Sequence, residues 1–272
     1  MRICIAGKNN IAVESTQYLI NDLGIDKKKL VACFNKTDDG QDSFQLSFKK
    51  FCIQEGIESL SLAELYQLTD FIFISLEFDQ LLQMRKMKTK KVFNIHFSLL
   101  PKYRGMYTSV WPILFGDRQS GVTLHCIDRG IDTGDIIEQL TFPISEDDTC
   151  RSLYLKYIEH GILLFKNSVH HLLSGDYSAK AQQSIDCSYY SQDSIDFSNI
   201  KINFNQPAVK VKNQISAFSF QEYQLPIIYG TPVQRGEILA LLSTKTAGTV
   251  IREDQEKFDV ATTDYHIRCY KS

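Results

Sequence analysis

The sequence contains none of the paired cysteines that mark zinc sites, redox motifs and disulfide scaffolds. Its seven cysteines are an odd number, lie far apart and form no C-x-x-C pair, whereas zinc and thiol–disulfide sites use closely spaced cysteines. We therefore interpret them as reduced, mostly structural thiols. We expect no bound metal ion.

Long apolar runs are also missing. No stretch approaches the roughly 20 consecutive apolar residues that a membrane-spanning helix needs. The first residues, M-R-I-C-I-A-G-K-N-N, turn polar too early for the apolar region of a signal peptide. These two absences predict a cytoplasmic protein with no membrane partner.

The sequence has no large excess of either sign of charge, since it contains 30 Lys and Arg residues and 32 Asp and Glu residues, for a formal net charge of -2. Such a balance lacks the strong positive field that attracts DNA or tRNA, so no nucleic-acid partner is expected. The 272 residues, 43% of them hydrophobic, are enough for one substantial core and a smaller second unit.

Runs of β-strand length alternate with helical patterns in the first part of the chain. Arg2 to Ala6 predicts a strand, which is followed by a turn and a helix over residues 11–23. Six consecutive apolar or small residues, Phe71 to Leu76, are typical of a strand buried on both faces of a parallel sheet. The pattern predicts an α/β fold with a doubly wound, Rossmann-like N-terminal domain, whose ligand site lies at the carboxyl ends of the strands.

The helix and strand pattern of the N-terminal part ends with a long predicted helix. Asp147 or Asp148 is predicted to cap its N-terminus, and Gly175 is predicted to end it. We expect the N-terminal domain to cover residues 1–183. Residues 184–272 hold a polar connecting segment, a helix from Pro207 to about Phe218 and several short β-prone runs. They predict a small β-rich C-terminal unit.

The candidate catalytic residues do not lie at the first β–α turn, where a dinucleotide-binding enzyme has its characteristic motif. The first β–α turn reads G-K-N-N-I-A and lacks the G-x-G-x-x-G fingerprint of NAD enzymes. Asn94 and His96 instead stand two residues apart on a predicted strand, so they share one face at its end. Asp132 lies in a loop between Gly130 and Gly134, two glycines that let the backbone approach a ligand closely.

An amide, an imidazole and a carboxylate, with no nucleophilic Ser or Cys and no metal cluster, fit acyl transfer to an external nucleophile. Asn94 would stabilise the oxyanion by a preorganised hydrogen bond. His96 would accept the proton of the nucleophile or add a second stabilising donor. Asp132 would orient His96 and help to relay protons.

The motif N-x-H before S-L-L-P-x-x-R-G, followed downstream by G-V-T-x-H-x-x-D-x-G-x-D-T-G-D, resembles the signature of the 10-formyltetrahydrofolate-dependent formyltransferases. The resemblance implies that Asn94, His96 and Asp132 are the catalytic residues and that 10-formyltetrahydrofolate is the formyl donor. It also implies a pocket for the pterin ring, made by the segment that follows the buried strand Phe71 to Leu76 and by the loop that leads to Asp132. Its residues would be Glu77, Phe78, Asp79, Asp128, Gly130 and Ile131.

Within that family, S-L-E-F-D at 75–79, G-I-D-T-G-D-I-I and the tail segment I-N-F-N-Q-P-A are similar to the sugar N-formyltransferases. The likeness extends to enzymes that act on dTDP-3-amino-3,6-dideoxyhexoses. It implies a nucleotide-linked amino sugar as the substrate and a place in lipopolysaccharide or O-antigen biosynthesis.

Three groups of residues are candidates for contacts with that substrate. Lys8, Asn9 and Asn10 lie at the first β–α turn, and anions bind favourably at a helix N-terminus. The alternative is that these residues form only a polar turn with no ligand. Tyr103, Arg104 and Gly105 follow the catalytic strand. Phe220, Tyr223 and Tyr229 could stack on the nucleotide base or form only the small core of the C-terminal unit. That unit is too short to form a large core alone, so we expect it to pack on the N-terminal domain or on a second subunit, and we predict a homodimer formed partly by this region.

Other readings of the same motifs stay open. Methionyl-tRNA formyltransferase and glycinamide ribonucleotide formyltransferase share the signature, but the first is longer and more basic and the second is usually a single domain. A non-catalytic folate or nucleotide-sugar binding module is permitted by the fold alone. His125, in the interior of a predicted strand, is interpreted as a structural or supporting histidine.

Overall fold

The computed structural model describes residues 1–272, which divide into two compact units that alternate along the sequence. The first unit comprises Met1–Arg104, Gly121–Thr141 and Tyr157–Tyr189, and the second comprises Gly105–Ser120, Phe142–Lys156 and Tyr190–Ser272. A single domain boundary after residue 183 stays a prediction.

The strands up to the end of the first unit are β1 (Arg2–Gly7), β2 (Leu30–Phe34), β3 (Glu58–Ser59), β4 (Phe71–Leu76), β5 (Val92–His96), β6 (Arg104–Gly105), β7 (Gln119–Cys126), β8 (Ile136–Pro143) and β9 (Tyr189–Tyr190). Seven of them form the larger sheet, in the order β3-β2-β1-β4-β5-β7-β8. Strands β1 to β5 pair in parallel, and β5 pairs antiparallel with β7. The chain order reverses between β1 and β4, so the predicted Rossmann-like α/β fold is confirmed.

The helices are α1 (Asn9–Asn21), α2 (Phe48–Glu55), α3 (Leu62–Leu65), α4 (Trp111–Phe115), α5 (Cys150–Ser174) and α6 (Ala208–Ala217). The predicted caps of α5 at Asp147 or Asp148 are wrong. Helix α5 starts at Cys150, and the hydroxyl of Thr149 accepts a 3.3 Å hydrogen bond from the Ser152 amide. Asp148 instead accepts from the Ser152 hydroxyl at 2.7 Å. None of the helices combines the length and the apolarity needed to cross a bilayer.

Every residue of β4 is buried, as its unbroken apolar run predicts. Beside it, Gly7 ends β1 where only a hydrogen side chain fits, because a Cβ there would lie 1.9 Å from the carbonyl oxygen of Leu76. The close approach brings the carboxyl ends of β1 and β4 together at the point where the strand order reverses. Open α/β sheets bind their ligands at such a point.

The second unit contains a five-stranded sheet, made of β10 (Ile227–Ile228), β11 (Thr231–Leu242), β12 (Val250–Glu253), β13 (Lys257–Ala261) and β14 (Tyr265–Lys271). The strand order in this sheet is β10-β11-β14-β13-β12. Helix α6 packs closely on this sheet at Gly236, where a Cβ would lie 3.0 Å from Cδ1 of Ile215. Buried residues of the helix and the sheet form one core, so the predicted β-rich C-terminal unit is confirmed.

Candidate active site

Asn94, His96 and Asp132 meet at the carboxyl end of β5 in the first unit. One carboxylate oxygen of Asp132 lies 3.4 Å from Nδ2 of Asn94, and the other lies 3.5 Å from Nδ1 of His96. The side chains of His96 and Asp132 are only 9% and 13% exposed. Little water therefore screens this carboxylate from its two partners.

The protonation of His96 is constrained by its second ring nitrogen. Nε2 lies 2.9 Å from the carbonyl oxygen of Tyr103, and because a carbonyl only accepts, Nε2 carries the hydrogen. In the neutral ring the lone pair is therefore on Nδ1, the atom that faces Asp132. A proton added at Nδ1 would form an ion pair with the Asp132 carboxylate.

His125 belongs to this cluster. It lies opposite Asn94 in the antiparallel pairing of β5 with β7, and its Nε2 is 3.1 Å from Nδ2 of Asn94. Its Nδ1 donates to the Cys126 carbonyl at 2.8 Å, which leaves Nε2 as an acceptor. His125 therefore fixes the Asn94 amide, and the supporting role expected for it agrees with this contact.

The backbone of the loop around Asp132 is strained and is stabilised by hydrogen bonds within the loop. Asp132 has a φ of 53°, a conformation that non-glycine residues adopt only where their surroundings enforce it. Asp128 braces the loop by accepting from the Gly130 amide at 3.0 Å and from the Thr133 hydroxyl at 2.7 Å. A Cβ on Gly134 would lie 1.8 Å from the Cys126 carbonyl oxygen. Contacts within the loop region therefore account for Gly130 and Gly134, which the sequence analysis relates to the approach of a ligand.

A cavity of about 240 Å³ opens beside the cluster. Its apolar walls come from Phe78, Leu81, Leu82, Ile127 and Ile131, and its polar lining includes Asn94, His125, Asp128 and Asp132. Four residues of the predicted pterin pocket line it, namely Phe78, Asp128, Gly130 and Ile131. Glu77 and Asp79 are not among the lining residues, and their contact with a pterin stays a prediction.

Glu77 lies instead against the first β–α turn. Its carboxylate accepts from Nδ2 of Asn9 at 3.2 Å, and its carbonyl accepts from Nδ2 of Asn35 at 2.7 Å. Asn9 and Glu77 both have positive φ, 62° and 61°. Two strained residues joined by a hydrogen bond thus lie at the reversal of strand order, which is typical of a ligand-binding turn.

The other residues of that turn differ in their contacts. Lys8 is half-buried, and its amide donates to the Leu76 carbonyl at 3.3 Å. The side chain of Asn10 accepts from the Leu46 amide at 2.8 Å and so holds a neighbouring loop. A contact of Lys8, Asn9 or Asn10 with the substrate stays a prediction.

The loop after β5 places Tyr103 and Arg104 beside the cluster. Tyr103 is buried, with a φ of 60°, and supplies the carbonyl that His96 contacts. Arg104 is half-buried, and its guanidinium donates to Oε1 of Gln182 at 3.1 and 2.6 Å and makes no salt bridge. Its positive charge is therefore available to an anion. Gly105 begins the second unit, with a φ of 89°.

The three predicted base-stacking aromatics all lie in the second unit. Phe220 is buried and contacts Tyr223, whose side chain is largely exposed. Tyr229 stacks on Phe204 and donates its hydroxyl hydrogen to the Gly248 carbonyl at 2.7 Å. Their contact with a nucleotide base stays a prediction.

The thiols and metal-ligating groups add no second centre. No group of three or more His, Cys, Asp or Glu side chains is placed to hold a metal ion. Burial raises the pKa of Cys33 and of Cys150 to about 12. Such thiols stay protonated at neutral pH and are poor nucleophiles.

The chain is similar to a formyl transferase family model and to several solved N-formyltransferases. A family model described as formyl transferase matches residues 61–166. An N-formyltransferase from Helicobacter canadensis, solved in complex with folinic acid and dTDP-3-aminofucose, is 40% identical over 100% of both chains, with a TM-score of 0.93. WlaRD, a sugar 3N-formyl transferase solved in the presence of dTDP and 5-N-formyl-THF, is 41% identical over 100% of this chain and 97% of its own, also with a TM-score of 0.93. A 4-N formyltransferase from Francisella tularensis shares the fold at 19% identity, with a TM-score of 0.63 over 82% of this chain and 90% of its own.

Proposed function

Because the chain belongs to the sugar N-formyltransferases of the formyl transferase family, we propose that it transfers the formyl group of 10-formyltetrahydrofolate to the amine of a dTDP-linked 3-amino-3,6-dideoxyhexose. The observation that carries the proposal is the cluster of Asn94, His96 and Asp132, of which Asn94 and Asp132 line a cavity with apolar walls. The ligands solved with the two relatives, folinic acid or 5-N-formyl-THF and dTDP or dTDP-3-aminofucose, support the same donor and acceptor.

The cavity suits the donor. A pterin is flat and largely apolar on its faces, with hydrogen-bonding edges, and this cavity combines apolar walls with the polar side chains of Asn94, Asp128 and Asp132. The folate supplies a formyl carbon bound to nitrogen, which the sugar amine attacks. A formyl group at the inner end of the cavity would lie next to Asn94.

Asn94 stabilises the negative charge that develops on the formyl oxygen. One amide hydrogen points to His125, at 3.1 Å, and the other to Asp132, at 3.4 Å. The second bond is long, so a forming oxyanion can take this hydrogen from Asp132 at small cost. His125 holds the amide in place meanwhile.

His96 receives the proton that the sugar amine loses when its nitrogen bonds to the formyl carbon. The acceptor atom is Nδ1, since Nε2 is engaged with the Tyr103 carbonyl. Asp132, 3.5 Å away, stabilises the imidazolium that results. The same proton can pass to the folate nitrogen as its bond to the formyl carbon breaks, which leaves tetrahydrofolate and the formamido sugar.

Arg104 provides the charge complementary to a nucleoside diphosphate. Its guanidinium is oriented by Gln182 and carries no salt bridge, and guanidinium groups bind phosphate oxygens in a bidentate manner. For the whole protein we propose action as a homodimer in the cytoplasm, in lipopolysaccharide or O-antigen biosynthesis.

The test is incubation of the protein with 10-formyltetrahydrofolate and a panel of nucleotide-linked 3-amino and 4-amino sugars, followed by mass spectrometry. We expect a formyl-sized mass gain on the dTDP-linked 3-amino sugar. A gain only on 4-amino or non-dTDP sugars would reject the proposed acceptor, and no gain on any sugar would reject the proposed function.

A further inference from the structure

The chain that leaves helix α5 returns to the candidate active site. Residues 178–188, here named the return segment, belong to the first unit. Their sequence is polar and carries no catalytic motif, yet two of their side chains, Gln182 and Ser188, bond to the loops that hold the catalytic cluster.

Gln182 makes four hydrogen bonds with its carboxamide. Nε2 donates to the carbonyl oxygens of Asp132 at 2.8 Å and Gly134 at 2.7 Å. Oε1 accepts from Nε of Arg104 at 3.1 Å and from Nη2 of Arg104 at 2.6 Å. Both amide hydrogens and the carbonyl oxygen of Gln182 are used. Only an amide side chain of this length can donate to the two loop carbonyls and accept from the Arg104 guanidinium at the same time.

Ser188 holds the loop that supports His96. Its hydroxyl accepts from the Tyr103 amide at 2.8 Å, and its carbonyl accepts from the Arg104 amide at 2.9 Å. The carbonyl of Tyr103 in turn accepts from Nε2 of His96 at 2.9 Å. The return segment therefore contacts the loops on both sides of the imidazole.

Both of these loops are strained where the return segment holds them. Tyr103 has a φ of 60° and Asp132 a φ of 53°. Residues in this conformation persist only when neighbouring groups enforce it. The two donated hydrogen bonds of Gln182 act on Asp132 and on the residue two positions later, which fixes the backbone from which the Asp132 carboxylate projects.

We propose that Gln182 is the positioning residue of the formyl transfer, acting on both the acid–base pair and the substrate-binding cation. Through Nε2 it places the Asp132 carboxylate against Asn94 and His96. Through Oε1 it aims the Arg104 guanidinium, whose remaining N–H groups are left for the diphosphate of the acceptor. The inference rests on the proposed function for the identity of that anion, but its contacts are independent of it.

Substitution of Gln182 separates the two effects. In Gln182→Met both sets of hydrogen bonds are lost, so kcat falls by about tenfold to a hundredfold and KM for the nucleotide sugar rises by about tenfold. Gln182→Glu keeps an acceptor for Arg104 but turns a carboxylate oxygen towards two carbonyls, so kcat falls similarly while KM stays within about threefold of the wild-type value. Gln183→Met and Gln183→Glu, at the next residue, are the matched controls and keep wild-type values.

A purely structural role predicts a different result. Loss of folded enzyme lowers the apparent kcat and the midpoint of thermal unfolding but leaves KM unchanged. Unchanged KM in Gln182→Met, or wild-type kinetics in both Gln182 variants, overturns the proposal.

Hydrogen–deuterium exchange provides a readout that needs no substrate. Peptides covering residues 101–105 and 128–135 exchange faster in Gln182→Met than in the wild type, and at the wild-type rate in Gln183→Met. Unchanged exchange in Gln182→Met overturns the positioning role. Inactivity of the wild-type protein on every nucleotide-linked amino sugar would reject the proposed function instead, and the exchange result would still decide the role of Gln182.

Discussion

The carboxylate of Asp132 and the imidazole of His96 face each other at 3.5 Å, while the far nitrogen of the same ring donates to the Tyr103 carbonyl. The ring is thus held at both ends, and its one basic atom points at a negative charge. The proposed role of His96 as proton acceptor depends on this arrangement, because a proton added at that atom would lie against the carboxylate. Asp132 also contacts Asn94, at 3.4 Å, so both polar side chains of β5 share it as a partner.

Removal of either polar group on β5 should affect turnover far more than binding. Asn94→Ala or His96→Ala is expected to lower kcat at least about a hundredfold, because one oxyanion donor is worth about 2.7–4 kcal/mol in the transition state. Steady-state kinetics with both substrates measures the change. His170→Ala, on the exposed side of α5, is a matched histidine control. Near-normal turnover in both Asn94→Ala and His96→Ala would show that neither side chain takes part in the reaction.

His125 should matter through Asn94. His125→Phe keeps a ring of similar shape but removes the acceptor for the Asn94 amide, so we expect kcat to fall by roughly tenfold. His125→Gln restores an acceptor oxygen and should recover part of the loss. Equal activity of the Phe variant and the wild type would show that the amide needs no such support.

The rate of the chemical step should decrease on the acid side. The sugar amine must be unprotonated to attack, and Nδ1 of His96 must hold a lone pair, so both requirements act in the same direction. Single-turnover formylation between pH 8 and pH 5 measures the dependence. A flat profile over this range is incompatible with the proposed proton transfer.

Sequence patterns predicted those parts of the fold that depend on local periodicity. The buried run of β4 matches residue for residue, and the long helix predicted to end at Gly175 is present as α5, Cys150–Ser174. The first half of β11, Thr231 to Glu237, gives only a weak strand signal, because it contains a proline, a glycine and charged residues. Pairing with β14 overrides these local preferences.

The meeting of Asn94 and His96 on one face followed from strand alternation, but their remaining partners did not. His125 reaches Asn94 only because β7 runs antiparallel beside β5, and sequence alone gives no register for that pairing. Gln182 is 50 residues from Asp132 along the chain and lies in a segment without periodicity. Long-range contacts of this kind depend on tertiary structure, so only the structure reveals them.

The second unit contains an ion pair that should contribute to acid sensitivity. Nε of Arg151 donates to both carboxylate oxygens of Glu222, each at 2.8 Å, and these hydrogen bonds lower the pKa of Glu222. Because the pKa is lower in the folded state than in the unfolded state, the contribution is complete above the unfolded value of about 4.3 and is lost as the pH falls through the folded value.

Glu222→Gln should therefore reduce the free energy of unfolding at pH 7 by about 1 kcal/mol or less, since the pair is partly exposed. The difference from the wild type should shrink between about pH 5 and pH 3 in chemical denaturation. Glu146→Gln, at an exposed position, is the control. A difference that grows with acid would contradict the ion pair as its source.

Thiol reactivity should be confined to one position. Cys187 is exposed, whereas burial raises the pKa of Cys126 and raises that of Cys269 to about 12. We expect one rapidly alkylated thiol per native chain, with the label in the peptide that contains Cys187. Cys187→Ser should abolish this fast phase, and rapid labelling that persists in the variant would show that a buried cysteine is accessible.

The most direct test of formyl transfer follows the carbon itself. With 10-formyltetrahydrofolate labelled with carbon-13 in the formyl group and the dTDP-linked 3-amino sugar, carbon NMR should show the label as an amide on the nitrogen at C3 of the sugar. The wild-type protein should form this product, and Asn94→Ala and His96→Ala should form it at least about a hundred times more slowly. Label that appears as free formate, or that remains on the folate with the wild-type protein, would contradict the account.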